Sequence, residues 1–226
     1  MSEPLKNFLF SLTIVFPAIM GLVRYRDADT SYRPFFYYIF YSLFNELFVY
    51  FCLEQYASKE AAIINWEVFN LLECLLLLVQ FYYWNRFKNF KKAFPVLLAV
   101  AALGWITENF FFSNIYAFNP VFLIAYSFLL VLLSINTINH QVVNYNRTIS
   151  KNPLFIICVG FVIFFIYTIV VFTILATNRR NNAFASVFEI RVYINALTNI
   201  LYATGIYFIP RKTLLQRNIF GDKKNY

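Results

Sequence analysis

Arg191 is the one basic side chain set inside a membrane-length apolar segment, FEIRVYINALTNILYATGIYFIP, which runs from Phe188 to Pro210. At about 100° of turn per residue, Arg191, Asn195 and Asn199 recur every four positions and share one helical face, with Thr198 and Tyr202 beside them. A guanidinium in such a place offers two chemistries: it can pair with a buried carboxylate, or it can take a carboxylate or phosphate of a ligand through paired N–H donors. Facing lipid it would cost at least about 2.5 kcal/mol. This face therefore has to turn toward other helices or toward water.

The matching acids also lie in apolar segments. Glu46, Glu67, Glu73, Glu108 and Glu189 are each embedded in hydrophobic sequence, and Glu67, Asn70 and Glu73 occupy adjoining strips on one side of a single helix. Glu189 stands about 160° around the helix from Arg191, so a pairing carboxylate is expected from Glu46, Glu67 or Glu73 on another helix. Carboxylates left over from that pairing could take up protons or bind a cation. Asn45, Asn70, Asn109, Asn195 and Tyr193 add neutral polar groups. Taken singly, the asparagines read as interhelical hydrogen bonding worth roughly 0.6 kcal/mol each. The ionisable groups together read as a ligand or ion site: Arg191, Glu46, Glu67, Asn70, Glu73, Glu108, Asn195 and Asn199 are the expected binding residues.

The rest of the chain has to position these groups. It has 226 residues, 61% hydrophobic and 13% charged, where soluble proteins carry about 25% charged residues. The apolar runs are long and do not alternate, so the expected fold is all-α, a polytopic membrane helical bundle forming a single domain of seven transmembrane helices. Its spans are expected at about 5–23, 35–53, 63–84, 93–112, 121–138, 153–177 and 188–210. Pro17 should bend the first of them. Pro34 suits the opening of the second, and Arg24 and Arg26 after the first apolar core mark a retained span, not a cleaved signal.

Orientation follows from the basic residues. With the N-terminus outside and the C-terminus inside, the inner segments hold fourteen lysines and arginines, among them the run Arg86, Lys88, Lys91 and Lys92, against four outside. At ~1.5 Å per residue this topology places all five in-span acids in the outer half of the membrane, with Glu54 at its edge. The expectation is an outward-opening polar cavity among spans two, three, four and seven. Aromatic residues near span ends, such as Tyr37, Tyr38, Trp66 and Trp84, read as interfacial belts.

Several chemistries are excluded or disfavoured by count. One histidine, His140, rules out a histidine-rich metal site, and no GxSxG, HExxH or in-span aspartate is present. Every lysine lies at a span end or in a loop, so no retinal-type Schiff base is expected, and no cofactor at all. Cys52, Cys74 and Cys158 read as small buried hydrophobes. The net charge of +8 reads as topology, not nucleic-acid binding.

The span count, the shortness of the chain and the asparagine-rich last helix resemble the small orphan seven-helix integral membrane proteins of bacteria. That resemblance implies an inner-membrane location and no assigned activity. No Pro-Gln pair of the SWEET and PQ-loop transporters is present. The expected function is a receptor-like sensor or binding protein that takes a small polar or charged ligand, contacts the lipid bilayer, and meets a cytoplasmic or membrane protein partner through its basic inner face. The alternatives are a transporter coupled to protons or cations and a structural subunit of a membrane complex.

Overall fold

The computed structural model describes residues 10, 12–53, 58–87, 92–112, 115–116, 119–144, 149–177 and 182–211, with residues 182–188 as backbone. Lys6, Glu54, Lys88, Lys91, Arg147, Arg179, Arg180, Lys212, Arg217, Lys223 and Lys224 lie outside the described residues. The described chain is all-helical, with seven α-helices and no strand beyond an isolated bridge between Ala28 and Arg211.

Helix α1 spans Val15–Arg24 after a 3₁₀ turn at Leu12–Ile14. Pro17 falls in its first turn, three residues past the end of the 3₁₀ turn, so the N–H that proline lacks costs little there. The bend expected at Pro17 takes the form of this change of helix type. Asp29 accepts from the Ser31 N–H at 2.8 Å and opens a 3₁₀ turn that leads into α2, Arg33–Phe48, with Pro34 in the first turn. Helix α2 continues as a π-helical segment, Val49–Leu53. Ser58 caps α3, Lys59–Tyr83, by accepting from Ala61 N at 3.3 Å, and Glu60 complements the positive end of the dipole. The chain leaves α3 through Asn85 at φ 58°, a left-handed conformation that asparagine tolerates.

Helix α4, Ala93–Thr107, also passes into a π-helical segment, Glu108–Phe112. Helix α5 runs Val121–Asn144, past the end expected at Ile138, so Asn139, His140 and Gln141 are helical. The extension is fixed by Gln141, whose side-chain oxygen accepts from Asn152 Nδ2 at 2.8 Å. Asn152 in turn caps α6, Pro153–Ala176, by accepting from Leu154 N at 3.0 Å. Helix α7 spans Asn182–Phe208.

Five of these helical stretches, at Thr30–Leu53, Lys59–Tyr83, Ala93–Phe112, Val121–Asn144 and Pro153–Ala176, are long and apolar enough to cross a membrane, and Leu12–Arg24 is a shorter apolar helix. The protein is a membrane protein whose apolar helices suit contact with lipid. Helix α7 is long enough but not apolar enough, because Arg191, Asn195, Thr198 and Asn199 interrupt it. Large apolar side chains face outward all around the bundle; on α4, Val96, Val100 and Leu103 are exposed in one row while Trp105 is buried.

Helix α6 is apolar on every side and packs along both α5 and α7. Its ring Phe161 gathers Phe35 and Tyr202, with centroids at 5.8 and 5.5 Å, and Phe81 at 6.1 Å into an aromatic cluster. Two glycines permit the approach of α6 and α7: a Cβ on Gly160 would stand 2.6 Å from Tyr202 Cε1, and one on Gly205 would stand 2.6 Å from Ile157 Cγ1. At the same end Gln80 accepts from Phe35 N and donates to Ser31 O, both at 2.6 Å, tying the start of α2 to α3. The start of α2, the end of α3, the start of α6 and the end of α7 thus close the bundle on one side.

Candidate functional site

Above the aromatic cluster the same helices separate around a cavity of about 110 Å³. For scale, a cavity of roughly 150 Å³ accepts benzene. Its wall is built from Tyr38 to Glu46 of α2, Trp66 to Glu73 of α3, Phe164 to Phe172 of α6 and Arg191 to Tyr202 of α7, with Ile14 from the turn before α1 and Leu123 from the start of α5. Helix α4 contributes nothing to it. The expected lining by span four is therefore corrected: α4 packs on the outer side of α3, and α6 takes its place.

The structure brings Glu46, Asn70, Glu73, Arg191, Asn195 and Asn199 into this one wall. Glu67 and Glu108 are not part of it. Their side chains turn to the α3–α4–α5 junction, where the Glu108 carboxylate accepts from Val121 N at 3.0 Å and Phe122 N at 2.6 Å. A carboxylate from the neighbouring helix thereby satisfies two donors that α5 cannot satisfy itself. Glu67 is buried beside it, hydrogen-bonded by the Asn109 side chain and the Asn119 backbone, with one carboxylate oxygen lacking a partner among the described residues. Trp105 Nε1 donates to the Glu67 carbonyl at 3.0 Å and Asn109 Nδ2 to the Trp105 carbonyl at 3.0 Å, which locks α4 to α3.

Arg191 stands at the cavity mouth with its guanidinium carbon 5.7 Å from the centre of the Trp66 ring. Tyr167 sits against the Arg191 backbone from α6. Of the acids expected to pair with Arg191, Glu67 and Glu73 are engaged elsewhere, and Glu46 shares its cavity wall. Asn199 reaches the other way, donating through Nδ2 to Thr13 Oγ1 at 2.8 Å and fastening α7 to the start of α1. Glu189 is exposed, and Tyr193 is exposed with its ring 5.3 Å from Phe10. Those two lie off the site.

The buried carboxylate of the cavity is Glu73, 3% exposed near the middle of α3. Its Oε2 accepts from the Tyr126 hydroxyl at 2.6 Å, and Tyr38 also hydrogen-bonds to it. Ser42, Tyr38 and Tyr202 line the cavity around it. Tyr202 Oη is buried and has no hydrogen-bond partner among the described residues, and the buried Ser42 Oγ, beside the Tyr38 hydroxyl, makes no hydrogen bond of standard geometry.

Tyr38 and Ser42 are what the sequence reading missed; Tyr202 is the residue expected beside the face of Arg191, Asn195 and Asn199. Tyr38 reads as an interfacial aromatic from its place near a helix start, yet it is buried on the face of α2 that also carries Ser42 and Asn45. The i, i+4, i+7 spacing of Tyr38, Ser42 and Asn45 is the signal that could have found it. Trp66 likewise belongs to the cavity wall. Cys52, expected to be buried, is exposed, while Cys74 and Cys158 are buried, and all three are free thiols.

The arrangement can hold a small solute in a largely apolar enclosure with few, oriented polar groups, the usual make-up of a small-molecule site. It has a cation at the mouth, an amide and hydroxyl belt along its length, and a carboxylate at its base. Among the described residues no group of His, Cys, Asp and Glu is placed to hold a metal ion. Comparison with protein-family models, with curated proteins and with solved structures finds no match, so what this chain does has to be argued from its own site.

Proposed function

We propose that this chain is a seven-span integral membrane protein of a bacterial inner membrane, N-terminus outside, that binds a small polar or charged molecule from the outer side and acts as a receptor-like sensor or binding protein. The observation that carries this reading is the cavity itself. Side chains from four well-separated stretches of sequence converge on one enclosed volume, and two buried hydroxyls there, Ser42 and Tyr202, make no hydrogen bond of standard geometry among the described residues. Bundle cohesion alone would satisfy such groups against each other. The mouth lies toward the start of α3 and of α7, the side that the excess of basic residues assigns to the exterior. The basic inner segments are the surface for a cytoplasmic partner or for anionic lipid.

The test is sided reactivity. In a background with Cys52→Ser, Cys74→Ala and Cys158→Ala, a Ser42→Cys thiol reacts with a small membrane-impermeant reagent added to oriented vesicles from the outer face and not from the inner. Equal reactivity from both faces, or none, defeats the outward cavity. Transport is the second reading, favoured by the position of Glu73 near the middle of α3, since substrate and coupling-ion sites of transporters lie near the membrane midplane. Solute or proton flux in proteoliposomes that is lost in Glu73→Gln and Arg191→Ala would move the assignment to a transporter.

A further inference from the structure

Glu73 is a buried carboxylate whose hydrogen-bond partners are phenols, Tyr126 and Tyr38, and no lysine, arginine or histidine pairs with it among the described residues. Neutral donors relieve part of the desolvation of an acid and leave its charge uncompensated; a buried ion without a counter-ion costs several kcal/mol. Two groups in the same wall share the opposite deficit. Tyr202 Oη, in a residue 2% exposed, has no hydrogen-bond partner among the described residues, and Ser42 Oγ, in a residue 8% exposed, has beside it only the Tyr38 hydroxyl and makes no hydrogen bond of standard geometry.

We infer that the base of the cavity is a seat for the primary ammonium group of a small organic molecule, with Glu73 as counter-ion and Ser42 and Tyr202 as further acceptors. The inference rests on the cavity being the binding site proposed above and names what that site takes. An –NH₃⁺ group carries three donors and no acceptor. The wall offers three acceptor oxygens, one each from α2, α3 and α7, to match those donors, and leaves the Ser42 and Tyr202 O–H groups to donate to water or to another part of the molecule. The Tyr38 and Tyr202 rings border the same space and present faces that attract a cation. A calcium-like ion needs six to eight oxygen ligands, carboxylates foremost, and Glu73 is the one carboxylate at the cavity base. An anion would meet Glu73 as a like charge. The guanidinium of Arg191 lies nearer Trp66, seven residues up α3 from Glu73 and so roughly 10 Å along the axis, where it can meet the other end of the molecule.

The probe is ethylammonium chloride, compared at matched ionic strength with sodium chloride, sodium acetate and n-propanol, on the purified full-length protein in detergent. Ethylammonium is expected to raise Tm by about 3 °C over sodium chloride in the wild type, and the rise is expected to vanish in Glu73→Gln, which keeps the side-chain volume and an acceptor for Tyr126. Should Glu73→Gln fail to fold, Ser42→Ala carries the test, with the half-saturating ethylammonium concentration rising about fivefold. An equal rise with sodium chloride would assign the seat to an alkali cation, an equal rise with n-propanol would reduce it to an apolar hole, and an undiminished rise in Glu73→Gln would remove the counter-ion; each overturns the ammonium assignment. So does the absence of any rise in the wild type. The Ser42→Cys reactivity is read independently, so an open cavity that ignores ethylammonium defeats this inference alone, and a closed one defeats both.

Discussion

The Tyr126 hydroxyl meets Glu73 Oε2 at 2.6 Å from α5, a helix whose only contribution to the cavity wall is Leu123. Tyr126 thus approaches the carboxylate from behind, and its role is to hold the acid in position while leaving its other face to the cavity.

Tyr126→Phe removes that donor without changing the ring. It is expected to lower stability by about 1–3 kcal/mol, the cost of leaving a charged acceptor underserved. Combined with Glu73→Gln the two losses should not add, with a coupling of at least about 0.5 kcal/mol in a double-mutant cycle of thermal or denaturant unfolding. Strict additivity would show that the pair does not interact.

Glu108 acts as a cap supplied by another helix. Glu108→Ala is expected to cost about 1–2 kcal/mol by freeing the Val121 and Phe122 N–H groups, and Glu108→Gln less, since it keeps one acceptor. Neither should change ethylammonium binding, because Glu108 is outside the cavity. A lost response in Glu108→Gln would place it in the site after all.

Gly160 and Gly104 make a controlled pair. A methyl on Gly160 would collide with the Tyr202 ring at 2.6 Å, whereas on Gly104 the nearest atom, Phe122 Cδ2, is 4.0 Å away. Gly160→Ala is expected to cost about 1–3 kcal/mol through overpacking and to disturb the cavity base through Tyr202. Gly104→Ala should be neutral or slightly stabilising, as a helical glycine replaced without strain gains up to about 1 kcal/mol. Melting curves of the two variants decide it.

Membrane orientation can be read at two exposed positions. In the cysteine-free background, Ser58→Cys at the start of α3 is expected to react with an impermeant reagent from outside, and Asn85→Cys at its end only after permeabilisation. The reverse pattern would invert the topology and turn the cavity toward the cytoplasm.

The helical membrane character was legible because it is written in long apolar runs, and Arg191, Asn195 and Asn199 were legible because a four-residue repeat needs no partner to be seen. Glu108 was misread for a physical reason. Its sequence neighbourhood announces a buried acid, but whether that acid faces a ligand or the start of a neighbouring helix depends on how α4 docks, and packing between helices has no periodic signature. Tyr38 was hidden in another way, since a chain with 17 tyrosines offers too many phenols for it to stand out. The polar partner that makes Tyr38 distinctive lies on α3, far away in sequence.

The aromatic layer under the cavity sets the tempo of anything that might pass it. Phe35, Phe81, Phe161 and Tyr202 interlock across four helices, and Gln80 fastens the start of α2 against the end of α3 just below. A solute seated on Glu73 faces a solid floor, and leaving by that side requires several rings to repack together. Residence in the cavity is therefore governed by the return path past Arg191 and Trp66, which makes the mouth the place where substitutions should alter dissociation rates.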